Sequence, residues 1–334
     1  TLQSNQQNKS SYIMNNIIKS IAAFAVLTII PHLAEAQEFS LTTNYGKKMT
    51  VEVVNPDLPS KIAFAGQTIY FDRVDMYERL DRELTAMTYS HGTTLLLIKR
   101  ANKYFPIIAP ILKKNGVPLD LLYLACVEST LDMLAYSPAK AAGFWQFIPA
   151  AAKDYGLEIT DDVDERYNIE KATNAACRYL KKAYSKYGNW ESVASSYNAG
   201  LTRINRELSS QGQTSSFDLY LNRETSRYMF RIIATKLIME NPADYGFILK
   251  SSQLYYPIET KDIEVTETIE DLPQWAIDHG STYQWLKELN PWLRSKTLPN
   301  KTGKTYIIKL PKNSLTLSRK KQVKKVYNKS WVCD

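Results

Sequence analysis

From Val74 to about residue 245 the chain is almost wholly helical in pattern, and this constrains its fold more than any other feature. Val74, Tyr77, Leu80, Leu84 and Met87 recur at helical spacing. A second helix is expected over Thr93–Lys114, interrupted near Pro106 and Pro110 and ended by Asn115-Gly116. Pro118 suits the first position of the next helix, which reads Pro118-Leu-Asp-Leu-Leu-Tyr-Leu-Ala-Cys-Val-Glu128-Ser129. Further helices are expected over 150–155, 169–187, 190–196, 202–208 and 226–240.

Glu128 stands out within this pattern. A carboxyl in an otherwise apolar helix is costly to ionise, so its pKa should rise. An acid that keeps its proton near neutral pH can protonate a leaving group, which is the chemistry of breaking a glycosidic bond.

The flanks have a different texture. Short strand-like runs, 39–43, 49–54 and 61–71, precede the helices, with turns at Asn55-Pro56-Asp57 and Ala65-Gly66. After Tyr256-Pro257 come a strand at 263–266, short helices at 272–279 and 283–289, and a strand at 305–310 closed by Pro311. That order describes a small α+β module with a βααβ path. Arg319-Lys320-Lys321 and Lys324-Lys325 then form a basic tail, expected to be a solvated, partly disordered end.

The 334 residues fit about two domains, and 44% hydrophobic content suffices for a core. The formal charge of +8 suggests an anionic partner. At the N-terminus, Met14-Asn-Asn-Ile-Ile-Lys19 precedes an apolar run, Ile21 to Ile30, and then Ala34-Glu35-Ala36. This is the layout of a secretory signal cleaved after Ala36, with Met14 as initiator. The run is short for a bilayer span, which disfavours an uncleaved anchor. Export sets nucleic acid aside as a partner. Cys126, Cys177 and Cys333 match no metal spacing. Cys126 and Cys177 are read as buried thiols, although an oxidising compartment permits their pairing.

Beyond Glu128-Ser129, the chain carries Ser137-Pro138, Gly143-Phe144-Trp145-Gln146, Ser196-Tyr197-Asn198-Ala199-Gly200 and Glu224-Thr225-Ser226-Arg227-Tyr228. With these ordered motifs, residues 118–228 resemble the catalytic domain of the lytic transglycosylases, lysozyme-like enzymes that cut bacterial peptidoglycan. The membrane-bound D type is the subgroup most similar. The C-terminal module resembles, less closely, a LysM domain through Leu289-Asn290-Pro291 and the 305–310 strand; the usual opening Gly-Asp-Thr is missing.

The resemblance implies a lysozyme-like helical catalytic domain at 74–245, behind a signal region (1–36) and an N-terminal extension (37–73). A LysM-like module (258–312) and the basic tail (313–334) follow. It makes Glu128 the single catalytic carboxyl. Glu128 would protonate the oxygen between N-acetylmuramic acid and N-acetylglucosamine, then take the proton of the muramyl 6-hydroxyl as that oxygen closes onto C1. The product would be a 1,6-anhydro sugar.

Substrate-side roles fall on Ser129, Ser137, Gln146, Tyr197, Asn198, Glu224 and Tyr228. Ser129 and Ser137 would hydrogen-bond Glu128 or an N-acetyl group, or else cap local turns. Tyr197 would hydrogen-bond the acid while lining the sugar cleft. Phe144 and Trp145 are read as core.

Three positions depart from the family pattern: Ser226 stands where an arginine is usual, with Arg227 next to it, and Ala151 and Lys140 are also atypical. Asp132 and the acidic run Asp161, Asp162, Asp164 and Glu165 are expected to serve as surface and loop caps. A second carboxylate facing Glu128 would instead make the chain a hydrolytic muramidase. The third alternative is a non-catalytic peptidoglycan-binding protein. No metal or organic cofactor is implied. The expected partner is peptidoglycan glycan, bound by a monomer in the periplasm or cell envelope, with peripheral association to wall or membrane left open.

Overall fold

A computed structural model describes residues 40–42, 48–50 and 55–334. The signal region read from the sequence lies outside the described residues. The chain divides into two compact units, 1–55 and 56–334. In the first, β1 (Ser40–Thr42) and β2 (Lys48–Thr50) pair antiparallel, Ser40 opposite Thr50. Among the described residues, no helix is long and apolar enough to cross a membrane.

The second unit opens with a hairpin where one strand was expected. Ala65-Gly66, both at positive φ, turn β3 (Lys61–Phe64) into β4 (Gln67–Tyr70). Ile62, Phe64, Ile69 and Phe71 join the core of the helices that follow.

Those helices are α1 (Val74–Tyr89), α2 (His91–Lys114), α3 (Leu122–Ser129), α4 (Pro149–Asp154), α5 (Ile169–Tyr187), α6 (Trp190–Ala199), α7 (Leu201–Ser210) and α8 (Arg223–Glu240). Three begin at asparagine caps. The side chains of Asn168, Asn189 and Asn222 accept from the backbone N–H of Lys171, Ser192 and Thr225. Helix α8 is the central element, and α1, α3 and α6 pack around it. It buries Tyr228, Met229, Phe230, Ile232, Ile233, Ala234, Ile238 and Met239, apolar residues too widely spread around the axis for a surface helix.

Two local expectations are corrected. Helix α2 runs unbroken through Pro106 and Pro110. The prolines are four apart on the exposed face, where water can satisfy the carbonyls that lack an intrahelical donor. The buried face of α1 is Met76, Leu80, Glu83 and Leu84, whereas Val74 is 73% exposed.

The C-terminal module is β5 (Thr260–Val265), α9 (Leu272–Asp278), α10 (Tyr283–Leu289) and β6 (Tyr306–Pro311), with the two strands antiparallel. Asn290 is fully buried and pins α10 to β6. Its amide nitrogen donates to Leu286 O (2.8 Å) and Lys309 O (2.7 Å), and its oxygen accepts from Lys309 N (2.8 Å). The module shares a core with the helical region, where Ala142, Val163 and Tyr167 pack with Trp292, Leu293 and Tyr306.

The basic tail returns to the helical region. Tyr327 N donates to Asn102 Oδ1 (2.7 Å), and the buried Trp331 packs edge-on to Phe105 and donates to Met239 O (2.5 Å). The basic residues are solvated as expected, Arg319, Lys320, Lys321, Lys324 and Lys325 all being exposed, but the end is not loose. Two aromatic anchors and a buried asparagine hold the segment down.

Candidate active site

Glu128 sits in the last turn of α3, whose other side chains are mostly buried. Burial pushes its carboxyl up to about 7. A hydrogen bond donated by the Tyr228 hydroxyl to Oε1 opposes that rise, the Glu224 charge adds to it, and Arg231 opposes it. Tyr228 is itself fully buried in α8, so the acid is held by a rigid partner.

Directly after the acid, the backbone reverses through two left-handed residues, Thr130 (φ 52°) and Leu131 (φ 50°). For residues with a Cβ this conformation is strained and must be held from outside. Arg100 of α2 provides part of the hold, donating to Thr130 O (3.0 Å) and pairing with Asp132 (3.2 Å). Leu131 is wholly buried.

The following loop is organised by Arg166. Its guanidinium is buried against Asp164 (2.6 and 2.9 Å) and donates to Lys140 O (2.6 Å) and Phe147 O (3.0 Å). A Cβ at Gly143 (φ +74°) would lie 2.1 Å from Arg166 O. Gly143 thus gives the close backbone approach read from its motif, and the approaching group is the Arg166 carbonyl. Lys140 (φ 63°) and Gln146 (φ 46°) are also left-handed. Gln146 turns its amide nitrogen toward Gly143 O (2.8 Å) and Ala135 O (3.2 Å), which orients its oxygen away from them.

The two serines act locally. Ser129 is buried, with its hydroxyl 3.1 Å from Ala125 O and 3.0 Å from Phe144 O. It does not hydrogen-bond Glu128. Ser137 accepts from Ala141 N (3.1 Å) and closes a tight turn. Phe144 and Trp145 are core, with the Trp145 indole donating to Thr173 (3.0 Å).

Tyr197 lies near the acid but donates to Trp145 O (2.7 Å), so the phenol on Glu128 belongs to Tyr228. Asn198 joins α6 to the start of α8, contacting Glu224 (3.3 Å) and accepting from Thr225 (2.8 Å). Glu224, Tyr228 and Glu128 are therefore assembled at one place.

The other acids are engaged elsewhere. Asp164 and Glu165 are buried, against the expectation of a surface run, although Asp164 does cap the turn at Glu165–Tyr167 by accepting from Arg166 N (3.1 Å). Asp164 pairs with Arg166, while Glu165 pairs with Lys171 and with Lys304 (3.1 Å) of the C-terminal module. Asp162 O accepts from Arg294 N (2.7 Å) in the same module. Cys126 and Cys177 are buried free thiols, and burial pushes the Cys177 thiol up to about 11.

Sequence reasoning missed Glu83. It is buried in α1 and accepts from Arg227 (2.6 and 3.1 Å), with Arg82 (3.0 Å) and Arg231 (3.7 Å) beside it. This fixes the segment of α8 that presents Tyr228. The only signal was Arg227 displaced by one position from the family pattern, next to Ser226. Arg100 and Arg166 were missed too, because each joins a carboxylate (Asp132, Asp164) to backbone carbonyls that no side-chain motif records.

Residues 105–219 match the family described as Transglycosylase SLT domain, and residues 261–314 match the Soluble lytic transglycosylase C-terminal LysM-like domain. The two matches follow one another along the chain, the transglycosylase domain first and the LysM-like domain after it. Membrane-bound lytic murein transglycosylase D of Escherichia coli (strain K12) is 29% identical over 236 residues, covering 69% of this chain and 50% of that protein. The chain thus spans about half the length of that curated relative. Peptidoglycan transglycosylase gp16 of Escherichia phage T7 is 35% identical over 125 residues, 36% of this chain and 9% of that protein. The 70 kDa soluble lytic transglycosylase of Escherichia coli superposes with a TM-score of 0.38 at 16% identity, over 51% of this chain and 31% of that one.

Proposed function

We propose that this protein is a peptidoglycan lytic transglycosylase with Glu128 as its one catalytic carboxyl. The observation that carries this reading is the half-buried carboxyl of Glu128, raised by its surroundings and held by Tyr228, while Asp132, Asp164 and Glu165 are bound to cations elsewhere. Glu128 protonates the oxygen joining N-acetylmuramic acid C1 to N-acetylglucosamine. The C1–O bond breaks with its electrons leaving on that oxygen. The Glu128 carboxylate then takes the proton of the muramyl 6-hydroxyl as O6 bonds to C1. No water is consumed and the acid is restored.

In this scheme Tyr228 orients the acid. Gln146, Tyr197, Asn198 and Glu224 line the substrate side, and Ser137 shapes the loop beside it. The domain boundaries and export after Ala36 read from the sequence belong to the same proposal, as does action by a monomer in the cell envelope. Names of relatives that include "membrane-bound" and "peptidoglycan" support that location and substrate.

Mass spectrometry of sugars released from purified peptidoglycan tests this reading. Products one water lighter than hydrolysed ends are expected, and Glu128→Gln should abolish them. Reducing ends would overturn it in favour of hydrolysis. Glu224 gives that second reading its basis, as the other carboxylate whose charge bears on Glu128.

A further inference from the structure

A groove of about 450 Å³ lies where helix α2, the segment after α8, the C-terminal module and the tail meet. Arg100, Lys103, Arg319 and Lys324 line it, and no carboxylate does. Arg100 is engaged with Asp132, whereas Lys103, Arg319 and Lys324 have no carboxylate partner among the described residues. Tyr104, Tyr255 and, from the module, Trp285 line the groove with these cations. Lys103 already lies 5.1 Å from the centre of the Tyr104 ring. Concentrating like charge in a concavity costs free energy unless an anion offsets it.

The tail is held in a way that serves this groove. Tyr327 and Trp331 fix its far end, and Gln322 donates to Tyr256 O (3.1 Å) and Pro257 O (3.2 Å) beside the opening. Arg319 and Lys324 are exposed side chains, and the Arg319 guanidinium also donates to Ser252 O in the groove wall. Through Lys103, Tyr104 and Ile258 the groove continues into a second cavity of about 220 Å³, which Met133 also lines. Met133 belongs to the loop that follows Glu128; Glu170 and Glu288 also line this second cavity, so the stretch without carboxylates is the groove itself.

We propose that this groove binds the carboxylate-bearing stem peptide of peptidoglycan, beside the glycan strand held at Glu128. The proposal rests on the peptidoglycan reading above. Cations spread along a concave, aromatic-lined path suit carboxylates strung along a short peptide. A phosphate needs donors converging on one point, and a planar lipid surface does not enter a groove.

The test is fluorescence anisotropy of the full chain with fluorescein-labelled alanyl-γ-glutamyl-diaminopimelyl-alanine. Saturable binding that weakens with salt is expected. Lys103→Gln combined with Lys324→Gln should raise Kd by about fivefold, and Lys324→Gln alone, on the exposed tail, by about twofold. Glu128→Gln should leave Kd unchanged.

Equal binding of the same peptide with its carboxyls amidated would overturn the proposal, as would a Kd insensitive to either lysine substitution. Displacement by equimolar inorganic phosphate, or capture by phosphatidylglycerol vesicles in place of the peptide, would reassign the groove to phosphate chemistry. Binding of the peptide by a protein that releases no sugars would leave the groove standing and remove the transglycosylase reading. Anhydro products without peptide binding would do the reverse.

Discussion

The Tyr228 hydroxyl, buried in helix α8, donates its hydrogen bond to Oε1 of Glu128 a hundred residues away in the chain. That bond favours the ionised carboxyl, while burial favours the protonated one. Tyr228→Phe removes the donor and keeps the burial. Its activity should retain an alkaline limb, shifted to higher pH than in the wild type, with a lower plateau because the acid is no longer oriented. Losing the bond should also cost about 1 kcal/mol of stability. A pH–rate profile and a urea titration check both, and an alkaline limb that stays put or moves down would remove Tyr228 from control of the acid.

The raised pKa of Glu128 has a thermodynamic counterpart. The unfolded carboxyl titrates near 4.5 and the folded one near 7, so between these values the folded state holds more protons. Stability must then fall as pH rises through that window, by about 3 kcal/mol in all. Glu128→Gln cannot ionise and should be flatter across pH 4.5–7 and more stable than the wild type at pH 8. Thermal melts at several pH values check this; parallel stability curves for the two proteins would contradict it.

Glu83 acts on the same equilibrium from behind. Tyr228, Tyr197, Glu224 and Arg231 are the groups whose dipoles or charges bear on Glu128, and Glu83 offsets Arg231 at 3.7 Å while gripping Arg227. Glu83→Gln leaves the arginines uncompensated. The freed positive charge should lower the Glu128 pKa and move the alkaline limb to lower pH, opposite to Tyr228→Phe. The arginines are partly exposed, so the stability cost should be about 2 kcal/mol, below that of a wholly buried pair. Glu83→Asp, which keeps the charge, should restore most of the profile.

Gly143→Ala is the harshest single change expected. Its Cβ would stand 2.1 Å from Arg166 O, and the φ of +74° disfavours any side chain. Relief requires moving the carbonyl of a residue whose guanidinium pins Lys140 and Phe147. A loss of 3 kcal/mol or more is expected, with activity falling alongside. Alanine tolerated here with an unchanged melting temperature would mean that the loop is softer than its hydrogen bonds imply.

What was legible in the sequence was local. Helix α5 was read with its observed bounds, because Asn168 caps its start and Gly188 closes its end in the left-handed conformation. Glu128 was legible because a carboxyl among apolar neighbours is conspicuous. The misreadings share a cause in partners that no hydrophobic period or motif records. The tail has too few apolar residues to show a period, and its placement is decided by Asn102 and Phe105. Asp164 and Glu165 look like a surface run until Arg166, Lys171 and Lys304 are seen around them. The assignment of the acid's phenol went to Tyr197 because both tyrosines lie in motifs, and only three-dimensional packing distinguishes them.

The returning tail changes what kind of object the C-terminal module is. By order along the chain it follows the catalytic region, but the chain comes back from β6 to bury Trp331 beside Phe105. The module is therefore spliced into the helical body like a stone in a ring, with a fastening on either side. It is not a pendant domain on a linker, because it shares a core with the helices and the tail is fastened beyond it. Its distance from Glu128 is therefore set by packing and not by the length of a linker.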